Sequence, residues 1–417
     1  MDLHRVFAGM VAGAAAVALA VPAHARAEWQ RGVAFTTYAA TSYGTPASDA
    51  SLARLAGDGN SDVEIVVTRY MADRSSNSIV ATPRTPTDAS VLHAMHTARS
   101  LGLAVTLKPQ IDVLTGVWRG WITPSDPAAW FDSLEATTDH YADLAREGGA
   151  SMLVVGTEFQ SMSGAAHTAR WQQLIAGVRE RFSGKLTYAA NFDEFNQIQF
   201  WKQLDYVGVD AYWSLASAPD PTVDSLVSAW TTKGRVAALR QVALTQGKPV
   251  LLTEIGYRST PGAAMHPNWW DTTGAIDLSE QSNAYQAAYQ ALAAYPWFAG
   301  LYWWSWPAAL PPDGSNSDYT PTYKPAEQVM KSWNAKLAPP PVASSPPVLA
   351  PPAVTAPAPA GIVTPKLPKK KPQAPCRRSQ RKPHRPRTAA SRAGRPCRAA
   401  RAHRRTHRAV RHSRAAR

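Results

Sequence analysis

Cysteine is nearly absent: 417 residues contain two, Cys376 and Cys397, both close to the C-terminal end. Residues 1–375 thus hold no thiol for a nucleophile, a metal site or a disulfide. In an exported chain the two could pair within the tail, stay free or bridge two molecules, and the sequence leaves these open. Long apolar runs are also scarce. The only extended one, from Val6 to about Val21, follows His4 and Arg5 and precedes small residues at Ala23, Ala25 and Ala27. That pattern is a secretory signal peptide over residues 1–27, too short and alanine-rich for a membrane span. No later stretch reaches the roughly 18 apolar residues of a spanning helix. A soluble mature protein is expected, secreted or periplasmic and associated with the cell envelope.

Acidic residues are missing from one end. Residues 361–417 carry 20 Lys+Arg and no Asp or Glu, so residues 1–360 hold the other 24 Lys+Arg against all 30 acids, a net charge of −6. The overall +14 belongs to the tail. Residues 338–360, a proline-rich stretch reading APPPVASSPPVLAPPAVTAPAPA, form a stiff linker that cannot bury a core. The tail itself is expected to be disordered. Its basic stretches could bind nucleic acid by counterion release, but it lacks Phe, Trp and Tyr to stack on bases. Behind a signal peptide, anionic envelope polymers or lipids suit it better than nucleic acid.

Residues 28–337 remain, enough for one large domain. Eight short apolar runs punctuate them: GVAFTTY (32–38), VEIVVTRY (63–70), LAVTLKPQ (103–110), SMLVVGTE (151–158), KLTYAAN (185–191), LDYVGVDAY (204–212), KPVLLTE (248–254) and FAGLYWW (298–304). Helical patterns separate them. Thr87 or Asp88 can cap one carrying Val91, Leu92, Met95, Ala98 and Leu101, which Gly102 ends. Pro127 opens another, with Trp130, Phe131, Leu134, Tyr141 and Leu144 on one side, and Trp171, Leu174, Ile175, Val178 and Phe182 mark a third. Apolar strands separated by helices imply a parallel sheet covered by helices. Eight units in about 300 residues favour an α/β fold of the (β/α)8 TIM-barrel type. No GxGxxG or Walker loop follows the first strand, which disfavours a nucleotide fold.

Barrel active sites sit where strands end. Those ends offer Arg69; Lys108 with Gln110 and Asp112; Glu158; Asn191 with Asp193 and Glu194; Asp210 with Tyr212; Glu254; and Trp303 with Trp304. Glu158 on strand four and Glu254 on strand seven would face each other across one cavity, and paired carboxylates are the equipment of glycoside hydrolysis. Aromatics that could cover pyranose faces cluster after the strands: Trp118, Trp121, Trp213, Trp269, Trp270 and the YWWSW run at 302–306. Trp130, Trp171 and Trp201 fit the core. His93 and His96 have a metal-like spacing but no third ligand, and read as surface or core residues. Asp210 is better placed to tie loops together than to act on substrate.

The motifs FTTY, KPQID with WRGWI, VVGTEFQSM, YAANFDEF, VDAYW, LLTEIGYRS and GLYWWSW resemble clan A glycoside hydrolases, most closely glycoside hydrolase family 113, over roughly residues 30–335. Characterised members of that family are retaining β-1,4-mannanases. The resemblance implies Glu158 as acid/base and Glu254 as nucleophile, Arg69 as the strand-two arginine steadying the nucleophile, Tyr212 as the aromatic beside it, and Trp303 or Trp304 as the platform for the sugar. It implies no metal or organic cofactor. Thr157 replaces the clan's usual Asn before the acid/base, with Asn191 able to take over part of that contact, and Gln110 stands where a histidine is common. Lys108, Gln110, Asp112, Trp118, Thr157, Asn191, Asp210, Trp213 and Tyr257 complete the substrate-binding candidates. The expectation is a retaining endo-acting hydrolase of β-linked polysaccharide, β-1,4-mannan first. The alternatives are a hydrolase of xylan, exopolysaccharide or cell-wall glycan, and a carbohydrate-binding barrel without catalysis.

Overall fold

The computed structural model describes residues 29–270 and 274–339. The expected signal peptide, most of the linker, the tail and both cysteines lie outside the described residues. Eight parallel strands close in sequence order, β1 to β8. They are β1 (Gln30–Thr36), β2 (Asp62–Met71), β3 (Ala104–Val113), β4 (Met152–Thr157), β5 (Lys185–Asn191), β6 (Val207–Asp210), β7 (Val250–Ile255) and β8 (Phe298–Pro307). The outer helices are α1 (Pro46–Gly57), α2 (Asp88–Ser100), α3 (Pro127–Gly148), α4 (Thr168–Arg181), α5 (Val223–Thr232), α6 (Arg235–Gln246), α7 (Leu278–Leu292) and α8 (Pro325–Leu337). This is the (β/α)8 barrel that the alternating runs imply.

Local chemistry sets the helix ends. Thr87 caps α2 by accepting the Ser90 amide through its side chain. Asp126 accepts the Ala128 and Ala129 amides at the start of α3, where Pro127 needs no donor. Gly149, in the left-handed region at φ 68°, ends it. Leu101, expected on the apolar face of α2, is instead its exposed C-cap. Two connections depart from the strand–helix repeat. Between β5 and β6 only a 3-10 turn, Trp201–Gln203, forms, and Trp201 is buried with its indole N–H donating to Phe195 O at 2.9 Å. Between β6 and β7 there are two helices, α5 and α6. Among the described residues no helix is long and apolar enough to cross a membrane.

Each strand is buried on both faces, so alternation sorts its side chains between barrel interior and helix layer. On β2, Val63, Ile65 and Val67 join the large hydrophobic core, and Glu64 falls on the opposite face. At the lower end of the interior, the Tyr302 hydroxyl donates to Gln30 Oε1 at 2.9 Å and lies 3.0 Å from Thr106 Oγ1. Two residues along β3 from Thr106, and so on the same inner side, comes Lys108.

Candidate active site

Lys108 is fully buried on β3, and its ammonium gathers three carboxylates. Glu254 Oε1 at the end of β7 is 2.6 Å away, Glu64 Oε1 on β2 3.2 Å, and Asp210 Oδ1 on β6 3.8 Å. The pairing register sets Asp210 beside Glu254. Four charges cannot share such a site without adjusting protonation. Burial pushes the Glu64 carboxyl up to about 8 despite Lys108, with the Glu254 charge adding to the rise. Burial and the Glu254 charge hold Asp210 well above the ordinary carboxyl range. Burial acts to lower Lys108, but the three acids outweigh it and keep it protonated. The closest contact of the cluster is Lys108 with Glu254, flanked by two carboxyls biased toward their neutral forms. The other oxygen of Glu254 accepts from the Tyr212 hydroxyl at 2.7 Å.

Glu158 follows directly on β4 and holds a left-handed backbone, φ 53°, uncommon for a residue with a side chain. Its neighbourhood fixes that conformation. The Glu158 amide donates to Ala189 O at 2.8 Å, and the Phe159 amide to the Tyr188 hydroxyl at 2.7 Å. Tyr188 in turn donates to Glu194 at 2.8 Å. Burial raises the Glu194 carboxyl to about 7, and it also accepts the Asn191 amide. Glu194 thus ties the end of β5 to the turn after β4.

The Glu158 carboxylate accepts from Trp118 Nε1 at 3.1 Å and Arg119 Nη1 at 2.8 Å. Arg119 pairs through its other terminal nitrogen with Asp112, and its Nε donates to Ile111 O at 2.8 Å. Gly120 lets the chain turn beneath the Trp118 ring, since a Cβ there would lie 2.3 Å from it. Burial raises the Glu158 carboxyl, Arg119 pulls it back, and the charge on Glu254 raises it again. The two glutamates therefore sense each other and keep similar company, both nearly closed off from solvent: Glu254 has an ammonium and a phenol, Glu158 a guanidinium and an indole.

Several expected contacts fall elsewhere. Arg69 does not steady Glu254. Five positions beyond Glu64 on β2, it falls on the outer face, with its guanidinium 5.9 Å from the centre of the Tyr141 ring of α3. The cation beside Glu254 is Lys108. Trp303 also points outward, stacked on Tyr285 of α7 at 3.5 Å and fully buried, so it is no sugar platform. Its neighbour Trp304, on the inner side and half-buried, is the one available to the cleft. Thr157, Lys108, Asp210 and Tyr257 are fully or almost fully closed off from solvent, so none offers substrate a surface. Asp210 accepts from Thr253 Oγ1 at 2.7 Å.

Gln110 and Asp112 lie together on β3, with the Gln110 amide donating to Asp112 at 3.3 Å. Asn191 donates to Asp193 at 2.8 Å. Of the aromatics grouped at the rim, Trp121, Trp269 and Trp270 are exposed and Trp118 half-buried, while Trp213 packs edge-on against Trp230 with little exposure. His93 is paired with Asp49 on the surface at 2.8 Å. Sequence reasoning missed Glu64 and Arg119. Glu64 was visible as a charge inside an apolar run, and Arg119 lay within the quoted WRGWI motif.

Comparison with known proteins agrees with this geometry. The family model described as Glycoside Hydrolase Family 113 matches residues 33–324. A family 113 β-mannanase from Alicyclobacillus acidocaldarius, solved in complex with ManMIm, is similar at 29% identity and a TM-score of 0.68, covering 75% of this chain and 98% of its own. Two structures titled as family 113 β-1,4-mannanases match at 26% and 27% identity, each with a TM-score of 0.67, covering 74% of this chain and 99% of theirs. No curated protein matches. With seven-tenths of its length matched by the family model and a closed barrel that carries two glutamates at the ends of β4 and β7, this chain belongs to glycoside hydrolase family 113.

Proposed function

We propose that this glycoside hydrolase is a retaining, endo-acting β-1,4-mannanase in which Glu254 is the nucleophile and Glu158 the acid/base. The observation that carries the reading is the placement of two nearly buried glutamates at the ends of β4 and β7 of the closed barrel, each held by a cation. Glu254 is held in place by the Lys108 ammonium at 2.6 Å and the Tyr212 hydroxyl at 2.7 Å. Glu158 is raised by burial and by the Glu254 charge, which favours the proton that a general acid needs.

Glu254 attacks the anomeric carbon while Glu158 gives its proton to the departing glycosidic oxygen. The new ester consumes the Glu254 charge, so Glu158 becomes the stronger acid. Its carboxylate then takes a proton from water, whose oxygen attacks the anomeric carbon and frees Glu254. Half-buried Trp304 and Trp118 offer aromatic faces to a pyranose ring. The similarity to β-1,4-mannanases at 26–29% identity supports mannan as the polymer. We also propose export through residues 1–27 and retention at the envelope by the basic tail.

The test is incubation with β-1,4-mannan, xylan and other β-glycans, followed by a reducing-end assay and proton NMR of the first product. Mannan cleavage with β product formed first is expected, and Glu158→Gln and Glu254→Gln should each cost about 10³-fold or more. Initial α product would overturn the nucleophile assignment. Cleavage of another polymer alone would replace mannan.

A further inference from the structure

Beside Tyr212, the hydrogen-bond partner of Glu254, a cavity of about 520 Å³ opens between the turns after β5 and β6, the start of α6 and the β7–α7 connection. It lies within the range of small-ligand sites. Tyr212, whose hydroxyl reaches Glu254, forms part of its wall, so a polysaccharide bound across Glu254 can extend into it. Trp213 and Phe192 supply apolar wall, and Arg235 supplies a cation.

Arg235 shares its lack of an acid with Arg69 on the outer face of β2, but Arg235 is the one that lines this cavity, and most other partly buried arginines are paired. Arg54 pairs with Glu327, Arg119 with Asp112 and Glu158, Arg170 with Asp132, and Arg179 with Asp205. Arg235 makes no ion pair or hydrogen bond among the described residues. Its Nε is shut off from solvent without an acceptor, and its guanidinium lies 5.8 Å from the centre of the Trp213 ring. Desolvation alone acts on its ionisation, downward, with no carboxylate to offset it. The acid that lines the same cavity, Asp193, accepts through its Oδ1 from the side-chain amides of Asn191 at 2.8 Å and Gln160 at 3.1 Å and makes no ion pair with Arg235. A planar guanidinium without an acid, on the wall of a sugar-sized cavity, is complementary to a carboxylate that arrives with the ligand.

We infer that this cavity is a subsite for a sugar unit bearing a carboxylate, and that Arg235 selects it. The inference rests on the glycan-hydrolase reading and deepens it: the polymer carries acidic residues next to the bond that is cut. The probes are a manno-oligosaccharide substituted with glucuronic acid and the same oligosaccharide after its carboxyl groups are reduced to alcohols. Binding to the full chain carrying Glu254→Gln is measured by calorimetry at low and raised salt. The acidic form should bind about tenfold more tightly than the reduced form, with the preference shrinking at raised salt. Adding Arg235→Gln should erase the difference, and Arg235→Lys should restore part of it. Equal affinity for the two forms, a preference that survives Arg235→Gln, or no binding of either form would overturn the inference. Hydrolysis of unsubstituted mannan by the unaltered chain is scored separately, so this inference can fail while the mannanase reading stands.

Discussion

Replacing Lys108 by Met removes the one cation from a buried cluster of three acids. At an effective dielectric near 20, opposite unit charges 2.6 Å apart attract by about 6 kcal/mol, and desolvation of both groups offsets part of that. Removing one member of a buried pair leaves the other uncompensated, at a typical cost of about 3–5 kcal/mol. Glu64 and Asp210 are already biased toward neutrality, so the loss falls on Glu254. With an unfolding entropy of about 2.1 cal/mol/K per residue over roughly 300 residues, the Tm should drop by about 5–8 °C. Turnover of mannan should fall by about 10²-fold or more, since about 3 kcal/mol of lost support for the attacking carboxylate equals two powers of ten.

The control is Lys108→Met combined with Glu254→Gln. It removes both charges and should regain most of the lost stability while staying inactive, because an absent pair is far less costly than a broken one. The measurements are scanning calorimetry and a reducing-end assay on all three variants. Strictly additive stability losses, or a Lys108→Met protein with turnover within threefold and Tm within about 1 °C of the unaltered protein, would refute the ion-pair argument.

Glu64→Gln should change how stability depends on pH. The folded-state carboxyl titrates at about 8 against an ordinary 4.5, so between these values the folded protein keeps a proton that the unfolded chain has released. Stability therefore falls as pH rises through that window, by up to about 1.4 kcal/mol per unit, and denaturant unfolding at pH 5, 6.5 and 8 should show Glu64→Gln losing that slope. Burial raises Glu158 and Arg119 pulls it back, so Arg119→Met should move the alkaline limb of the kcat/KM profile to higher pH; an unmoved or lowered limb would refute the role of Arg119. The 20 cations after residue 360 should be screened within about 8 Å at physiological salt. Residues 1–337 expressed alone should keep activity on soluble oligosaccharide but lose salt-sensitive co-sedimentation with anionic envelopes, and equal retention of both forms would exclude the tail as anchor.

Eight strand segments, three of the eight outer helices and the two glutamates were legible in the sequence because each rests on a local signal. Apolar runs, a Thr or Asp before a helical period and a carboxylate closing a strand need no knowledge of what lies opposite. Part of the inner face was legible too, since Lys108, Gln110 and Asp112 share parity on β3, whereas Glu64 and Arg69 on β2, five positions apart, cannot face the same way. Parity applied to Trp303 and Trp304 would likewise have placed one on each side of the wall. Only closure of the barrel decided the rest. Which cation meets Glu254 depends on the relative height of β2, β3, β6 and β7, a property of the ring of strands that no single strand encodes. Arg119 reaches Glu158 through a loop folded over the barrel mouth, and Arg235 lacks an acid because of where its neighbours come to lie. Charge, period and capping are written along the chain; the partner of a buried charge is set by segments far apart in sequence, because in a low-dielectric interior only geometry determines which charges meet.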